Sequence, residues 1–217
     1  INAAGCDSTA VLNLTISQCS VALNIRVFLQ GFYKGNSKME PTLFNLGKSF
    51  DSTSTDTISV CLWNASSLAN VNPDYVKKAV LNSFGFASVQ LPSATLGNNY
   101  YIVIKHRNSI ETWSSSQVSF TSNTSYDFTT GYNKAYGDGF NNPMKNMGGG
   151  VYAIYGGDVN QDGGIDLSDM VLTENDASNF LFGYINTDCN GDGGVDLSDM
   201  IIIENNSSLF IFKARPY

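Results

Sequence analysis

The stretch DVNQDGGIDLSDMVLTENDASNFLF, residues 158–182, returns thirty residues later as DCNGDGGVDLSDMIIIENNSSLFIF, residues 188–212. Fifteen of the 25 aligned positions are identical, and half of the others exchange one apolar residue for another, as Ile165 does for Val195. Similarity at a fixed period indicates two copies of one structural unit. Residues 157–217 are therefore predicted to form a module of their own.

Each copy opens with D-x-N-x-D-G-G-[IV]-D-x-x-D, which is close to the spacing of an EF-hand calcium loop. Side-chain oxygens occupy loop positions one, three, five, nine and twelve, position seven offers a backbone carbonyl, and a glycine at position six permits the sharp turn. So many oxygen ligands favour Ca²⁺ over octahedral Mg²⁺. The predicted ligands of two Ca²⁺ ions are Asp158, Asn160, Asp162, Gly164, Asp166 and Asp169 in the first loop, and Asp188, Asn190, Asp192, Gly194, Asp196 and Asp199 in the second.

The charge of the chain follows the same division. The net charge of −7 separates into ten basic and eight acidic residues over 1–157, and two basic and eleven acidic residues over 158–217. The last sixty residues thus carry −9, and carboxylates at this density repel one another unless a cation lies among them. Acidity argues against nucleic acid as a partner, and no apolar run reaches the roughly 18 residues that span a membrane.

The residues flanking the loops predict helices on one side only. Helical stretches are expected from Leu167 to about Phe182 and from Leu197 to about Phe212. Ile165 and Val195, at the eighth loop positions, are expected to pair as a short bridge between the loops. The apolar residues of both copies are expected to form the core of the module and its contact with the rest of the chain; they are Met170, Val171, Phe180, Phe182, Met200, Ile201, Ile203, Phe210 and Phe212.

This arrangement, two loop–helix halves with Asp rather than Glu at position twelve, resembles the type I dockerin. The resemblance covers about residues 158–217 and implies two Ca²⁺ ions related by a pseudo-twofold axis. Cellulosomal dockerins often carry a Ser-Thr-like pair at positions ten and eleven to recognise cohesin. Here the pair is Leu167-Ser168 and Leu197-Ser198, which favours a calcium-stabilised structural end of an extracellular protein, with a cohesin-like partner as the alternative.

Before the repeat, short segments with alternating polar and apolar residues predict β-strands, separated by Gly, Pro and Asn turn signals. Residues 72–82 fit either a short helix or a loop followed by a strand. Strands at this spacing indicate an antiparallel β-sandwich over residues 19–156. The predicted strands cover residues 8–17, 20–32, 57–64, 85–91, 99–107, 116–121, 125–129 and 151–155.

The opening segment NAAGCDSTAVLNLTIS resembles the last strand of Ig-like repeats in surface adhesins of Bacteroidota. Together with VFLQGFY (27–33), YYIVIKHRNSIETWS (100–114) and YDFTT (126–130), it resembles the C-terminal region of secreted proteins of that phylum. The chain starts at Ile1 without an initiator methionine, as expected of a processed or excised piece. Residues 1–18 are then a strand without its own domain, which docks in its own chain or adds to the sheet of a neighbouring copy. Addition of that kind builds a filament.

The resemblance also implies O-glycosylation at Asp-Ser or Asp-Thr followed by a suitable residue. Three sites match, and the candidate residues are Ser8, Ser52 and Thr57. Cys6, Cys19, Cys61 and Cys189 permit three disulfide pairings or four free thiols, and no C-x-x-C motif indicates zinc.

No common catalytic motif occurs in the chain. His106 is interpreted as a surface or sheet residue, because serines are too frequent for a Ser-His-Asp pattern to carry information. Trp63 and Trp113 fit a sandwich core better than a sugar-binding platform. The chain is predicted to be a non-enzymatic, calcium-stabilised extracellular structural protein, either a filament subunit or the terminal module of an adhesin. The alternative is a binding module, for a cohesin-like protein or a glycan, that was once attached to a secreted enzyme.

Overall fold

The computed structural model describes residues 20–137, 139–140 and 142–217. The predicted strand over residues 1–18, with Cys6 and Ser8, lies outside the described residues, and so does Cys19. Within the described part, strands dominate the chain up to Ala153, and the two longer helices follow the acidic loops. The prediction of a mainly β protein is confirmed.

One sheet has three strands, in the order β10-β1-β6. Strand β1 is antiparallel to β6, with Val21 opposite Leu91, but parallel to β10, with Ala22 opposite Asn123. The prediction of an antiparallel sandwich is therefore wrong for the β1–β10 pair. These two strands can run parallel because a long stretch of chain, which includes the second sheet, connects them. The strands are β1 (Val21–Arg26), β6 (Phe86–Leu91) and β10 (Asn123–Asp127).

The second sheet is antiparallel throughout, in the order β5-β4-β7-β8, with β9 also paired to β7. The segment that fitted either a helix or a strand forms β5, whose Leu81 is fully buried. The predicted strand over 116–121 shortens to two residues. The strands are β4 (Ser54–Trp63), β5 (Tyr75–Asn82), β7 (Asn99–His106), β8 (Ser109–Trp113) and β9 (Val118–Ser119).

Short elements complete the β region. The hairpin β2–β3 follows the first strand, and the hairpin β11–β12 precedes the acidic loops. The bounds are β2 (Tyr33–Gly35), β3 (Lys38–Met39), α1 (Thr42–Asn45), β11 (Lys145–Gly148) and β12 (Val151–Ala153).

The core lies between the two sheets because alternate residues of each strand point to the same side. Leu23 and Ile25 of β1 pack with Ile58 and Leu62 of β4 in one buried cluster. Burial of such apolar surface contributes about 25 cal/mol per Å². Trp63 and Trp113 are buried in a second cluster, on the other face of the sheet that contains β4. This agrees with their interpretation as packing residues.

The helices of the repeat are shorter than predicted: α2 spans Leu167–Ser178 and α3 spans Leu197–Ser207. Just beyond each helix, Phe180 (φ 52°) and Phe210 (φ 53°) adopt left-handed backbone conformations. A residue in this conformation ends a helix and redirects the chain. The remainder of each predicted helix is therefore a turn that leads into a short extended segment, with bridges at Phe182 and Phe212.

These extended segments form the bridges of the module. Ile165 donates its N–H to the carbonyl of Ile211 at 3.0 Å, and Val195 donates to the carbonyl of Leu181 at 3.1 Å. Each loop thus pairs with the segment that follows the other copy's helix. The expected pairing of Ile165 with Val195 is wrong, because both residues use their N–H groups on these exchanged segments.

The apolar residues of the repeat are less buried than expected. Ile203 is fully buried, and Met170 packs partly against the same cluster. The aromatic residues are exposed instead, at 80 % for Phe180, 79 % for Phe182 and 58 % for Phe212. The expectation that the whole set forms core and contact surface is wrong, because Ile165, Ile203 and Ile211 fill the buried cluster and these rings lie at the surface. Val171, Ile201 and Phe210 are exposed as well.

A helix that spans a bilayer needs roughly 18 or more apolar residues, whereas α1, α2 and α3 have 4, 12 and 11 residues. In the described part of the chain none of them is long and apolar enough for that role.

Candidate metal centre

The two acidic loops span residues 158–169 and 188–199 and fold alike. The sixth position of each is a glycine with a left-handed backbone, at φ 94° for Gly163 and 93° for Gly193. A side chain is strained in this conformation. The glycine that the motif required at position six is thus used as predicted.

Side chains at positions three and five fold the loop through its own backbone. In the first loop, Asn160 Oδ1 accepts the N–H of Asp162 at 2.9 Å, and Asp162 Oδ1 accepts the N–H of Gly164 at 2.9 Å. In the second loop, Asn190 and Asp192 make the same contacts at 2.8 and 2.9 Å. These bonds turn the oxygen-bearing side chains toward the interior of each loop.

The aspartate at position twelve closes each loop. Asp169 Oδ1 accepts the N–H groups of Val159 at 2.8 Å and Asn160 at 3.2 Å, and its Oδ2 accepts that of Asp166 at 3.0 Å. Asp199 repeats this pattern in the second loop, with Cys189, Asn190 and Asp196 as donors. The end of each loop is thereby held against its beginning.

The aspartate at position nine has a structural role that the motif did not reveal. Asp166 Oδ1 accepts the N–H of Ser168 at 2.7 Å and caps α2, in a capping box with Asp169. Asp196 caps α3 through Ser198 in the same way. These side chains satisfy N–H groups that have no partner inside the helix.

In both loops the bridging hydrogen bonds are accepted at position six and not at position seven. The bridges to the exchanged segments use the carbonyls of Gly163, which accepts from Lys213 at 2.8 Å, and of Gly193, which accepts from Gly183 at 2.8 Å. The bridging bonds therefore do not use the carbonyls of Gly164 and Gly194, the predicted ligands.

The aspartates at position one are buried, and each keeps one oxygen without a hydrogen bond. Asp158 is 2 % exposed and Asp188 is 0 % exposed. Among the residues that the structure describes, Asp158 Oδ1 and Asp188 Oδ2 have no hydrogen-bond partner. Burial and the nearby charge of Asp169 raise the pKa of Asp158 to about 7. Burial also raises the pKa of Asp188 to about 7, although Arg107 opposes this.

An unpartnered buried carboxylate oxygen is costly without a cation. The residues present fit Ca²⁺ in the chemistry of their oxygen donors and in these two orphaned oxygens. Over residues 20–137, 139–140 and 142–217, no group of three or more His, Cys, Asp or Glu side chains gathers as a metal-binding cluster. The carboxylates at positions five, nine and twelve are turned instead to the N–H groups of their own loop.

The two loops differ in their contact with the β region. Thr42 Oγ1 donates to the carbonyl of Gly191 at 2.5 Å, and Asn108 Nδ2 donates to the carbonyl of Asp188 at 2.7 Å. A β-carbon at Gly191 would overlap the ring of Phe32. The second loop therefore packs closely against the β region through its backbone.

A buried group of charged and polar side chains lies at the same contact. Arg107 Nε is 3.0 Å from Asp56 Oδ2, and Arg107 Nη2 is 3.5 Å from Asp188 Oδ2. Tyr184 donates its hydroxyl to Asp56 Oδ1. Burial would raise the pKa of Asp56, but hydrogen bonding and the charges of His106 and Arg107 lower it overall. Sequence reasoning missed Asp56, Arg107 and Tyr184 because no motif connects residues so far apart in the chain.

His106 lies in strand β7 and is 3 % exposed. It is therefore a sheet residue and not a surface residue, the two interpretations that the sequence left open. Its Nδ1 is 3.0 Å from Ser109 Oγ, and its Nε2 is 3.2 Å from Asp56 Oδ2 without hydrogen-bond alignment. These contacts resemble a Ser-His-Asp series, with serine and aspartate on the nitrogens opposite to those of a hydrolase. Ser109 is 1 % exposed, so a substrate has no access to its hydroxyl.

The glycosylation candidates differ in accessibility. Ser52 is exposed in the turn before β4, whereas Thr57 is half-buried within β4. These sites stay predictions. Within the described residues, Cys61 and Cys189 are both buried free thiols, which leaves the pairing of Cys6 and Cys19 untested.

No family model and no curated protein matches the chain. Two solved structures with a similar course of the chain are mutants of the type II cohesin–X-dockerin complex from Acetivibrio cellulolyticus. The C-terminal interface mutant has a TM-score of 0.48 and the N-terminal interface mutant one of 0.46. Each is 15 % identical, and the match covers 87 % of this chain and 98 % of the other. Likeness at this level assigns neither a family nor an activity.

Proposed function

We propose that this chain is a non-enzymatic extracellular structural protein, in which two Ca²⁺ ions stabilise a dockerin-like module against a β-sandwich. The observation that carries the proposal is the pair of buried carboxylates at Asp158 and Asp188, each with an oxygen that lacks a hydrogen bond. They occupy the same position in two loops of one motif. A divalent cation is the simplest partner for Asp158 Oδ1, and it would share Asp188 Oδ2 with the guanidinium of Arg107 at 3.5 Å.

Calcium suits these loops better than other metals. The side chains at the predicted ligand positions are aspartates and asparagines, which offer hard oxygen donors. Cys189, next to Asp188, has a buried free thiol, but it stands at the second loop position, which supplies no ligand in this motif. Bound ions would neutralise part of the −9 charge of residues 158–217. Ca²⁺ supplies charge and cross-linking here, and its role is stability.

Two features support a role without catalysis. The Ser109–His106–Asp56 series is buried, so its hydroxyl does not reach solvent. Arg107 joins the same carboxylate to the second loop. This group of side chains thus connects two parts of the molecule, which is a structural use of titratable residues.

Self-assembly is the finer part of the proposal. We infer that residues 1–18 add as a strand to a neighbouring copy, which makes the chain a filament subunit or the terminal module of an adhesin. The support is the alternating sequence of this segment, together with the edge positions that β5 and β10 hold in the sheets formed by the described residues. Deletion of residues 1–18 should abolish assembly seen by electron microscopy and sedimentation. Unchanged assembly would rule out this mode.

The second candidate function is protein docking, and the exposed apolar residues of the module favour it. Phe180, Phe182 and Phe212 are each more than half exposed. A cohesin-like partner is one that the dockerin resemblance implies, and a glycan is the other. A pull-down with cohesins and a glycan array test these partners. Loss of cohesin binding in Phe182→Ser would support docking, and no binding in either assay would remove this candidate.

The calcium proposal is tested by calorimetry and thermal unfolding of the full chain. We expect two Ca²⁺ ions per chain by titration calorimetry, and a lower melting temperature in EDTA. At a hundredfold excess over Kd, one bound ion adds about 2.7 kcal/mol to the free energy of unfolding. Asp162→Ala and Asp192→Ala, both at exposed positions, should each remove one ion. Unchanged melting in EDTA, with no heat of binding, would overturn the proposal.

A further inference from the structure

The two calcium loops have nearly the same sequence but different electrostatic surroundings. At position one, Asp158 and Asp188 are equivalent and are almost fully buried. Asp188 Oδ2 faces the guanidinium of Arg107 at 3.5 Å. For Asp158, no ion pair is found among the described residues. The difference comes from the β region, because Arg107 lies in the turn between β7 and β8.

Arg107 is held firmly in this position. Its Nε contacts Asp56 Oδ2 at 3.0 Å, its Nη1 donates to the carbonyl of Ile185, and its guanidinium lies 4.7 Å from the centre of the Tyr184 ring. Its side chain is 9 % exposed. Asp56 thus pairs with the guanidinium of Arg107 on one side. On the other side, Nη2 of Arg107 faces Asp188 without a hydrogen bond.

The first loop has a cation nearby of a different kind. The side chain of Lys213 lies over Gly163, close enough that a β-carbon there would be 2.9 Å from Nζ. Lys213 is an exposed residue, so water and salt screen its charge. A buried guanidinium acts on its neighbour through a lower effective dielectric constant and is screened less.

We propose that Arg107 makes the two calcium loops inequivalent, so that the first loop binds Ca²⁺ more tightly and fills before the second. A fixed positive charge beside Asp188 competes with a cation for that carboxylate, whereas Asp158 meets no such competitor. Calcium at the second loop is thereby linked to the β region through Arg107 and Asp56. This inference rests on the proposed calcium function.

The first part of the test measures each loop alone by titration calorimetry at pH 8. Asp192→Ala leaves the first loop, and Asp162→Ala leaves the second. We expect the Kd of the second loop to be about tenfold higher than that of the first, as expected for one unit charge at this distance in a partly screened site. If neither variant nor the unaltered chain binds Ca²⁺, the calcium function itself fails.

The second part changes Arg107 in the Asp162→Ala background. Arg107→Gln should tighten the second loop about tenfold, and Arg107→Lys, which keeps the charge, should change it less than threefold. Asp56→Asn should act in the opposite direction and weaken the second loop, because it removes the charge that partly neutralises Arg107. Opposite effects from two substitutions in one cluster exclude a general loss of stability.

The matched control lies at the first loop. Lys213→Gln in the Asp192→Ala background should change the Kd of the first loop less than threefold, because its charge is exposed. Circular dichroism verifies folding of every variant. Two bound ions of equal affinity, or a second loop that is unchanged or weakened by Arg107→Gln, would overturn the inference while leaving the calcium function intact.

Discussion

Gly31 of the β region faces the carbonyl oxygen of Cys189 in the second loop so closely that a β-carbon at residue 31 would overlap it. The same β-carbon would lie 2.9 Å from Ile202 Cδ1 of helix α3. On the other side of the contact, Gly191 leaves room for Phe32 and Thr42. Where the module joins the sheets, the absence of a side chain at Gly31 lets it approach the backbone of Cys189, and its absence at Gly191 makes room for the side chains of Phe32 and Thr42.

The first prediction follows from this contact. Gly31→Ala should lower the free energy of unfolding by about 2–3 kcal/mol, because the β-carbon would overlap the backbone of Cys189, which cannot move aside as a flexible side chain could. Urea unfolding in Ca²⁺ measures this change. Gly156→Ala is the control at the same contact, since its β-carbon would lie 3.5 Å from Ile202 Cγ2, an ordinary distance. Equal effects of the two substitutions would contradict the close-contact explanation.

The second prediction concerns acid and His106. Burial lowers the pKa of His106, and Asp56 offsets this only in part. The unfolded chain then binds a proton more readily than the folded protein. Stability is full above the unfolded pKa of about 6.5 and falls as the pH drops toward the folded value, by at most about 1.4 kcal/mol per pH unit.

The measurement is urea unfolding from pH 8 to pH 5 in saturating Ca²⁺, which keeps the loop carboxylates ligated. The groups that face His106 are Asp56, Arg107 and Ser109, with the ring of Phe32 at 5.4 Å. The pKa of Asp56 is lowered, so its own contribution is lost only below about pH 4. His106→Gln should flatten the profile between pH 7 and pH 5. A variant as pH-dependent as the unaltered chain would assign the slope to other groups.

The third prediction separates capping from calcium binding. Asp166→Ala should cost about 1 kcal/mol in EDTA, because Asp166 caps α2 through the N–H of Ser168. In Ca²⁺ the loss should be larger, since position nine also serves the ion directly or through water. Asp196→Ala is the matched change in the second copy. An Asp166→Ala variant with full stability in EDTA would show that the cap contributes nothing.

The fourth prediction uses the left-handed phenylalanine beyond α2. Phe180 adopts φ 52°, a conformation that is strained for a bulky side chain and tolerated by asparagine. Phe180→Asn should therefore raise the free energy of unfolding by about 1 kcal/mol, measured by thermal unfolding. Phe182→Asn is the control, because Phe182 is equally exposed without a positive φ. A decrease for Phe180→Asn would mean that its ring packs more than its exposure indicates.

Much of the fold was predictable from neighbouring residues. The alternation in 20–32, 57–64 and 99–107 predicted strands that face a common core, because side-chain direction reverses at each residue of a strand. The starts of α2 at Leu167 and α3 at Leu197 were predicted as well, because a helical stretch follows each acidic loop. The ends were not, since Phe180 and Phe210 carry no residue-type signal for a left-handed turn.

The internal geometry of the two acidic loops is a matter of local sequence. Glycine at position six and oxygens at one, three, five and twelve act within twelve residues, so the spacing alone fixes which atoms can meet. The outcome is visible in the backbone of Gly163 and Gly193 and in the paired contacts of Asp169 and Asp199.

The surroundings of those loops depend on the tertiary structure. Asp56, Arg107 and Asp188 come from three distant parts of the chain and meet only because β4, the β7–β8 turn and the second loop converge. Ile165 and Val195 each bond to the segment beyond the helix of the other copy. The repeat in the sequence does not predict this exchange. Local spacing can specify a site within one loop, but the charge beside it depends on which distant side chain the packed fold brings there.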